Sequence, residues 1–433
     1  MWPLLYRFVL GPLVSGGARV AALFSPKVRR GLAGRRRQQV RAQVEPAPER
    51  FAIHIHAASV GEFEQAKPLI EALRAGALPL RITASFYSPS GFEQQGNYDR
   101  LDEAWYLPDD RPRNVRAFLD RVRPDLIIII RYDLWPEFLR LAGERDIACV
   151  LVCATLREDS ARLRPIARGF FRWLYNRLSL IDCVGEADRA AFGTLAVSVP
   201  LEVSGDTRYD RVVERAAAGA RSTLPIERSQ LGADTVLVAG STWPPDEALL
   251  APLVGLEGLR LVVVPHEPTP THVASLRARL GRAVLLSEIT PGEVVPAGTA
   301  VIVDRTGILL GLYALADIAY VGGAFGAGVH SVLEPAAYGI PVLAGPRIER
   351  SRDATALHDA GLLEVVEDAK AAYASISRHV SLSRRRDELG ARTESFVGER
   401  AGATARILEG LVRRGLLPAD ALAQHEATSG PSK

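Results

Sequence analysis

Glu62 follows Ser59, Val60 and Gly61 just after an alternating apolar run, Phe51 to Ala57, at a point where a helix should open. A carboxylate placed there can do two things. With Ser59 three residues earlier it completes an S-x-x-E capping box, and an acid in a first helical turn complements the helix dipole. In open α/β sheets, however, ligands sit beyond the carboxyl ends of the strands, and a Glu in that position can take a proton as a general base. His54 and His56 share one face of the preceding strand by its period of two, and read as packing or support. A second candidate lies in YVGGAFGAGVHSVLEPAAYGIPVLAGPR, residues 320–347. A strand ends in Gly322 and Gly323, a loop with Gly326 and Gly328 follows, and a helix is expected from Ser331 to Gly339. Glycines let a ligand approach the backbone, and helix N-termini attract anions. Ser331 and Glu334 fit another capping box; alternatively, Glu334 accepts bonds from sugar hydroxyls. No D-x-D motif or histidine cluster offers a metal site.

These residues need strands to carry them. Short apolar runs suited to buried parallel strands recur at 51–57, 80–86, 125–130, 148–154 and 201–205, then at 235–240, 259–265, 299–304, 317–323 and 340–345. IIII and LVVV are apolar on both faces, as central parallel strands are. Amphipathic stretches lie between them, so βαβ alternation occurs twice. The expected fold class is α/β, with two Rossmann-like domains facing a cleft, as in the GT-B glycosyltransferase architecture. The expected domains are 42–215 and 216–415, divided in an Ala-rich charged stretch, with a frayed tail at 416–433.

The chain has 433 residues, 48% of them hydrophobic and 24% charged, with a net charge of only +3. That gives no global field for nucleic acid. Three cysteines without a C-x-x-C pair argue against a disulfide scaffold or zinc knuckle and suit a reducing compartment. The first 41 residues differ from the rest. Residues 2–24 are mostly apolar, but the uncharged run between Arg7 and Arg19 is only eleven residues, short for a clean span. Seven Lys or Arg follow between Lys27 and Arg41. Such a segment suits an anionic membrane leaflet, with the basic side in the cytoplasm.

Nine motifs in order carry a resemblance: SVGEFEQA, FYSPSGFE, YLPDD, DLWPEF, GDTRYDRV, AGSTWPPDE, VPHEP, GILLGLYALADIAYVGG and HSVLEPA. The chain resembles the 3-deoxy-D-manno-octulosonic acid (Kdo) transferases of lipopolysaccharide biosynthesis over residues 1 to about 410. The resemblance implies a metal-independent enzyme with no cofactor, on the cytoplasmic side of the inner membrane among anionic lipids. Its donor would be the cytidine monophosphate ester of Kdo (CMP-Kdo), and its acceptor the acylated disaccharide bisphosphate precursor of lipid A. Glu62 matches the proposed general base. Arg131, Asp133 and Arg208 fall in the catalytic motifs. Ser88, Ser90 and Gly91 fall in an acceptor-side loop. The donor site maps to Pro265, His266 and Glu267, to Thr306, Gly307 and Ile308, and to Ser331, Val332, Leu333 and Glu334.

The chain departs from the family pattern in four places. Pro265-His266-Glu267-Pro268 stands where Pro-Arg-His-Pro is usual, Ser331 replaces Asn, and Arg208 replaces Lys. Arg131-Tyr132-Asp133 stands where two Glu are usual before Trp135-Pro136. A branch of the family shares the GDTR, STWP-DE and PHE forms. The cation that meets the donor phosphate is left open; Arg208 keeps charge and adds a planar fork. Two rival functions share the architecture. A sugar-nucleotide 2-epimerase would be soluble, and a membrane-bound sugar-nucleotide sensor would bind without turnover.

Overall fold

The computed structural model describes residues 2–40, 50–219, 224–232, 235–326 and 328–422. Two seven-stranded parallel sheets organise them. The first contains β1 (Ala52–His56), β2 (Arg81–Phe86), β3 (Glu103–Tyr106), β4 (Leu126–Ile130), β5 (Ala148–Ala154), β6 (Leu180–Cys183) and β7 (Leu201–Val203), in the order β3-β2-β1-β4-β5-β6-β7. The second contains β8 (Thr235–Thr242), β9 (Leu259–Pro265), β10 (Ala283–Leu285), β11 (Ala300–Ile302), β12 (Ile318–Val321), β13 (Val342–Ala344) and β14 (Leu363–Val365), in the order β10-β11-β9-β8-β12-β13-β14. Strand order reverses between β1 and β4 in the first sheet and between β8 and β12 in the second. In doubly wound folds these switch points are where ligands bind.

Each sheet is covered on both faces, which is why the central strands are apolar throughout. In the first unit Ile53, Ile55, Ile128 and Phe63 pack on one side. Ile127, Ile129, Phe138 and Leu151 pack on the other. The second unit repeats this with Leu237, Val263 and Ile302 against Val238, Val262 and Val301.

The first compact unit takes in the chain up to Arg211 and again from Gly402, and the second runs from Val212 to Ala401. This differs from the expected domains 42–215, 216–415 and 416–433. Helix Ala403–Arg413 returns to the first unit because its apolar stripe, Ile407, Leu408 and Leu411, completes the core around Ile53 and Ile55. Asp210 fixes that return by accepting from the amides of Gly402 and Thr404, the latter at 2.7 Å. Leu417 and Ala421 join the same core, so the expected fraying at 416 does not begin there. The remainder of that expected tail lies outside the described residues.

At the other end of the chain, Trp2–Leu5, a π-helical turn Tyr6–Leu10 and Gly11–Phe24 form one 23-residue helix of mean hydropathy 1.2. It is long and apolar enough to cross a membrane, where the uncharged stretch alone was short. Leu4, Phe8, Leu13, Val20, Leu23 and Phe24 are exposed on it. Helix Pro26–Val40 carries most of the basic run; Arg41 lies outside the described residues.

Candidate functional site

Glu62 occupies the third position of helix Val60–Ala75, immediately beyond the C-terminal end of β1. The capping box is formed: the Ser59 amide donates to Glu62 Oε2 at 3.0 Å, and Ser59 Oγ accepts the Glu62 amide at 3.5 Å. The carboxylate is also buried, at 5% exposure. Burial and the charge of Asp133 push it above the ordinary Glu range, against the opposing pull of His56 and the Ala58 and Ser59 amides. An unperturbed value near 4.3 is therefore not what this environment gives.

Asp133 lies in the loop after β4, the neighbour of β1 across the switch point. Its Oδ2 is 2.9 Å from His56 Nε2 and accepts from Trp135 Nε1 at 3.1 Å. Burial pushes its carboxyl up, but the His56 and Trp135 bonds outweigh this and hold it below the usual carboxylate range. His56 Nδ1 reaches Ser85 Oγ at 2.9 Å. His54 lies between Thr83 and Ser85, and burial drives its pKa down to about 3, so it packs as a neutral ring.

Arg131 leaves β4 with φ +71°, a left-handed conformation uncommon outside glycine. Its guanidinium lies 5.9 Å from the Tyr132 ring centroid. Arg208 stands in the first turn of helix Thr207–Gly219. It grips Asp206 through Nε at 2.9 Å and Nη2 at 2.7 Å, and Gln65, on the Glu62 helix, donates to the same carboxylate at 2.8 Å. Ser88 caps helix Pro89–Gln95 by accepting from the Gly91 amide at 3.0 Å, with Ser90 Oγ 3.4 Å away.

In the second unit, Pro265 ends β9 and His266 emerges exposed beside the loop after β12. The His266 ring stacks on His330 at 4.4 Å and on Trp243 at 4.9 Å, and Trp243 Nε1 donates to His330 Nε2 at 3.0 Å. Glu267 turns the chain, its carbonyl accepting from Thr269 and His272. Thr306 and Gly307 form an exposed turn, Gly307 at φ +88°, that leads through Ile308 into helix Leu309–Tyr313. Asp246, buried, ties these elements together by accepting from Tyr320 Oη, the Gly323 amide and the Trp243 amide. Trp243 and Asp246 were not singled out from sequence, although both lie in AGSTWPPDE.

The expected helix from Ser331 to Gly339 is only Leu333–Ala336, its N-cap is Val332, and no capping box forms. Val332 and Leu333 are core residues, and Ser331 is exposed. Pro335, which would suit a first turn, here sits in the middle of a one-turn helix. Glu334 instead faces Arg215, 3.4 Å away. It also lies near enough to Tyr313 to add to the upward push that burial gives that phenol. Among the described residues no three His, Cys, Asp or Glu side chains group as metal ligands.

A family model described as 3-deoxy-D-manno-octulosonic-acid transferase matches residues 28–211. A 3-deoxy-D-manno-octulosonic acid transferase of Haemophilus influenzae is 27% identical over 431 residues, 94% of this chain and 98% of that protein. Along nearly its whole length the chain is thus similar to Kdo transferases. The transferase of the same name from Bordetella pertussis is also 27% identical, over 90% of this chain and 91% of its own. Among solved structures, the UDP-GlcNAc 2-epimerase of Neisseria meningitidis is similar in fold, with TM-score 0.57 and 13% identity over 84% of this chain and all of that one. MurG of Acinetobacter baumannii gives TM-score 0.54 and 12% identity over 84% of this chain and 99% of its own. The two Rossmann-like units are thus those of the GT-B architecture.

Proposed function

We propose that this protein moves Kdo from CMP-Kdo to a hydroxyl of the acylated disaccharide bisphosphate precursor of lipid A, with Glu62 as general base. The observation that carries this is the place of Glu62 at the first switch point, where its carboxylate is raised by burial and by Asp133. A base whose pKa is raised toward neutrality transfers protons more effectively than an ordinary Glu. Asp133, held ionised by His56 and Trp135, supplies the charge that tunes it. In the second unit, the glycine-rich loop after β12 would admit the nucleotide phosphate to the backbone. The Trp243–His266–His330 stack would lie beside it, and Glu334 would meet the ribose. The reaction needs no metal in this reading, because protein donors and cations would take the charge that develops on the departing phosphate. The protein would work on the cytoplasmic face of the inner membrane, its 23-residue N-terminal helix in contact with anionic lipid. Without residues 2–24 it should lose its partition into anionic vesicles.

The deciding experiment is incubation with freshly generated CMP-Kdo and tetra-acylated acceptor, with chelator present, followed by mass measurement. A mass gain of one or more Kdo units is expected. No gain, or protection from heat by a uridine sugar nucleotide but not by a cytidine nucleotide, overturns the proposal in favour of an epimerase.

A further inference from the structure

The N-terminal helices do more than present apolar and basic surface. Helix Pro26–Val40 exposes Arg36 and Arg37 but buries Arg35, which is 8% exposed. Arg35 Nε donates to the Leu107 carbonyl at 2.9 Å, and Nη2 donates to the Tyr87 carbonyl at 2.6 Å. Its guanidinium lies 4.4 Å from the Tyr87 ring centroid. The helix is seated tightly enough that a Cβ on Gly34 would come within 2.3 Å of the Tyr106 ring. Gln38 Oε1 accepts the Tyr106 amide at 2.7 Å.

From Tyr87 a continuous set of contacts leads to the site. The Tyr87 ring stacks on Trp135 at 5.0 Å and 27°. Trp135 Nε1 donates to the Asp133 carboxylate, which meets His56. The first helix reaches the same loop from its other end. Tyr6 hydrogen-bonds Asp110, whose carboxylate accepts the amides of Glu137 at 3.0 Å and Phe138 at 2.8 Å, directly after Trp135-Pro136. Arg7 stands 3.7 Å from Glu137 Oε2. Two N-terminal helices thus converge on the segment that carries Asp133.

We propose that Arg35 is a positioning residue: it holds the Tyr87–Trp135 wall, and through it the Asp133 carboxylate beside Glu62. The lipid-facing segment and the acceptor-side chemistry then form one mechanical unit. A buried guanidinium with two carbonyl acceptors and an aromatic face has a fixed place that a flexible ammonium does not reproduce. The proposal rests on the assignment of Glu62 as base, and its test separates the two.

The test uses the full chain in anionic vesicles. Arg35→Gln should lower kcat by roughly 10–100-fold, the scale expected when a reacting group is misplaced by about 1 Å. Its KM for CMP-Kdo and its partition into vesicles should stay as in the wild type, and Arg35→Lys should not rescue it. Hydrogen exchange at the amides of Arg131, Tyr132 and Leu134 should quicken, while the amides of β5 stay protected. Arg36→Gln with Arg37→Gln should weaken vesicle partition and leave those three amides unchanged. Tyr87→Ala should repeat the Arg35→Gln pattern, which keeps the test valid if Arg35→Gln melts early. Full rescue by Lys, or loss of vesicle binding with exchange and kcat untouched, overturns the proposal. Quickened exchange in a protein whose wild type transfers no Kdo would support the mechanical link and overturn the transferase assignment instead.

Discussion

The two sheets share a topology at their switch points and differ in what they place there. Beyond β1 and β4 stand ionisable groups, Glu62, His56 and Asp133, coupled to one another and largely removed from water. Beyond β8 and β12 stand glycines and flat rings. A Cβ on Gly322 would come 2.4 Å from the Ser241 carbonyl oxygen, Gly323 has φ +96°, and Trp243, His266 and His330 stack. The first end suits proton transfer, and the second suits backbone approach and the stacking of a planar group. The fold sets where a ligand sits, and the side chains at each end set what happens to it.

The largest effect should come from the ionisable end. Glu62→Gln keeps the size and much of the cap but removes the basicity. Transfer should fall by roughly 10²–10⁴-fold, the usual worth of a positioned base, with donor affinity and melting temperature held. Near-normal turnover when chemistry limits the rate would make Glu62 a cap only and erase the contrast between the two ends.

At the glycine end the corresponding test is Gly322→Ala. The atoms it would meet, Ser241 O and Thr242 Cα at 2.8 Å, are backbone and cannot swing aside. Overpacking of this kind costs about 1–3 kcal/mol. The melting temperature should drop, and calorimetry should show weaker CMP binding. A variant that melts normally and binds CMP as before would mean that the β8–β12 approach has slack and that the glycine is not needed there.

A gentler test returns to the first end. Glu62 must be ionised to accept a proton, and its folded pKa is raised, so the rate should fall with acid at higher pH than for an ordinary Glu. Asp133→Asn removes the charge that, with burial, raises it. The acid limb of the pH–rate profile should then move to lower pH, with a smaller loss at neutral pH than in Glu62→Gln. A limb that stays in place would mean that burial alone tunes the base.

The sequence made some of this legible for physical reasons. All ten apolar runs became strands, and 148–154 and 259–265 matched β5 and β9 end to end, because buried parallel strands must be apolar on both faces. The four strands missed, β3, β6, β10 and β14, have three or four residues each, too short to display a period. β6 further hides behind Asp182, a buried acid whose Oδ2 accepts from Ser204 Oγ at 2.7 Å. Glu62 was readable because it follows a strand directly. The coupling of Glu62 to Asp133 was not, because it depends on β4 lying beside β1 across a crossover. Arg35 looked like one more charge in a basic run; only the carbonyls of Leu107 and Tyr87, far along the chain, set it apart. The return of 402–422 to the first core was hidden for the same reason.

The smallest effect tests Glu334. Sequence spacing offered it a capping role, and the structure removes that option: the helix starts at Leu333 without a side-chain cap. Glu334 pairs with Arg215, at 3.4 Å and with that arginine 40% exposed. A pair so accessible to water contributes little to stability, about 0–1 kcal/mol. Glu334→Ala should therefore leave the melting temperature almost unchanged. If the carboxylate accepts ribose hydroxyls, its loss removes a charged hydrogen bond worth about 1.5–3 kcal/mol. Competition from Arg215 for the same carboxylate should bring the observed loss in CMP affinity to the lower end of that range, roughly tenfold. Calorimetry on Glu334→Ala and Glu334→Gln distinguishes the roles: Gln, which can still accept a bond, should lose less affinity than Ala. Equal losses in both would point to the Arg215 pair as the source. Unchanged affinity in both would remove Glu334 from the nucleotide end, leaving the glycine loop and the Trp243–His266–His330 stack to define it.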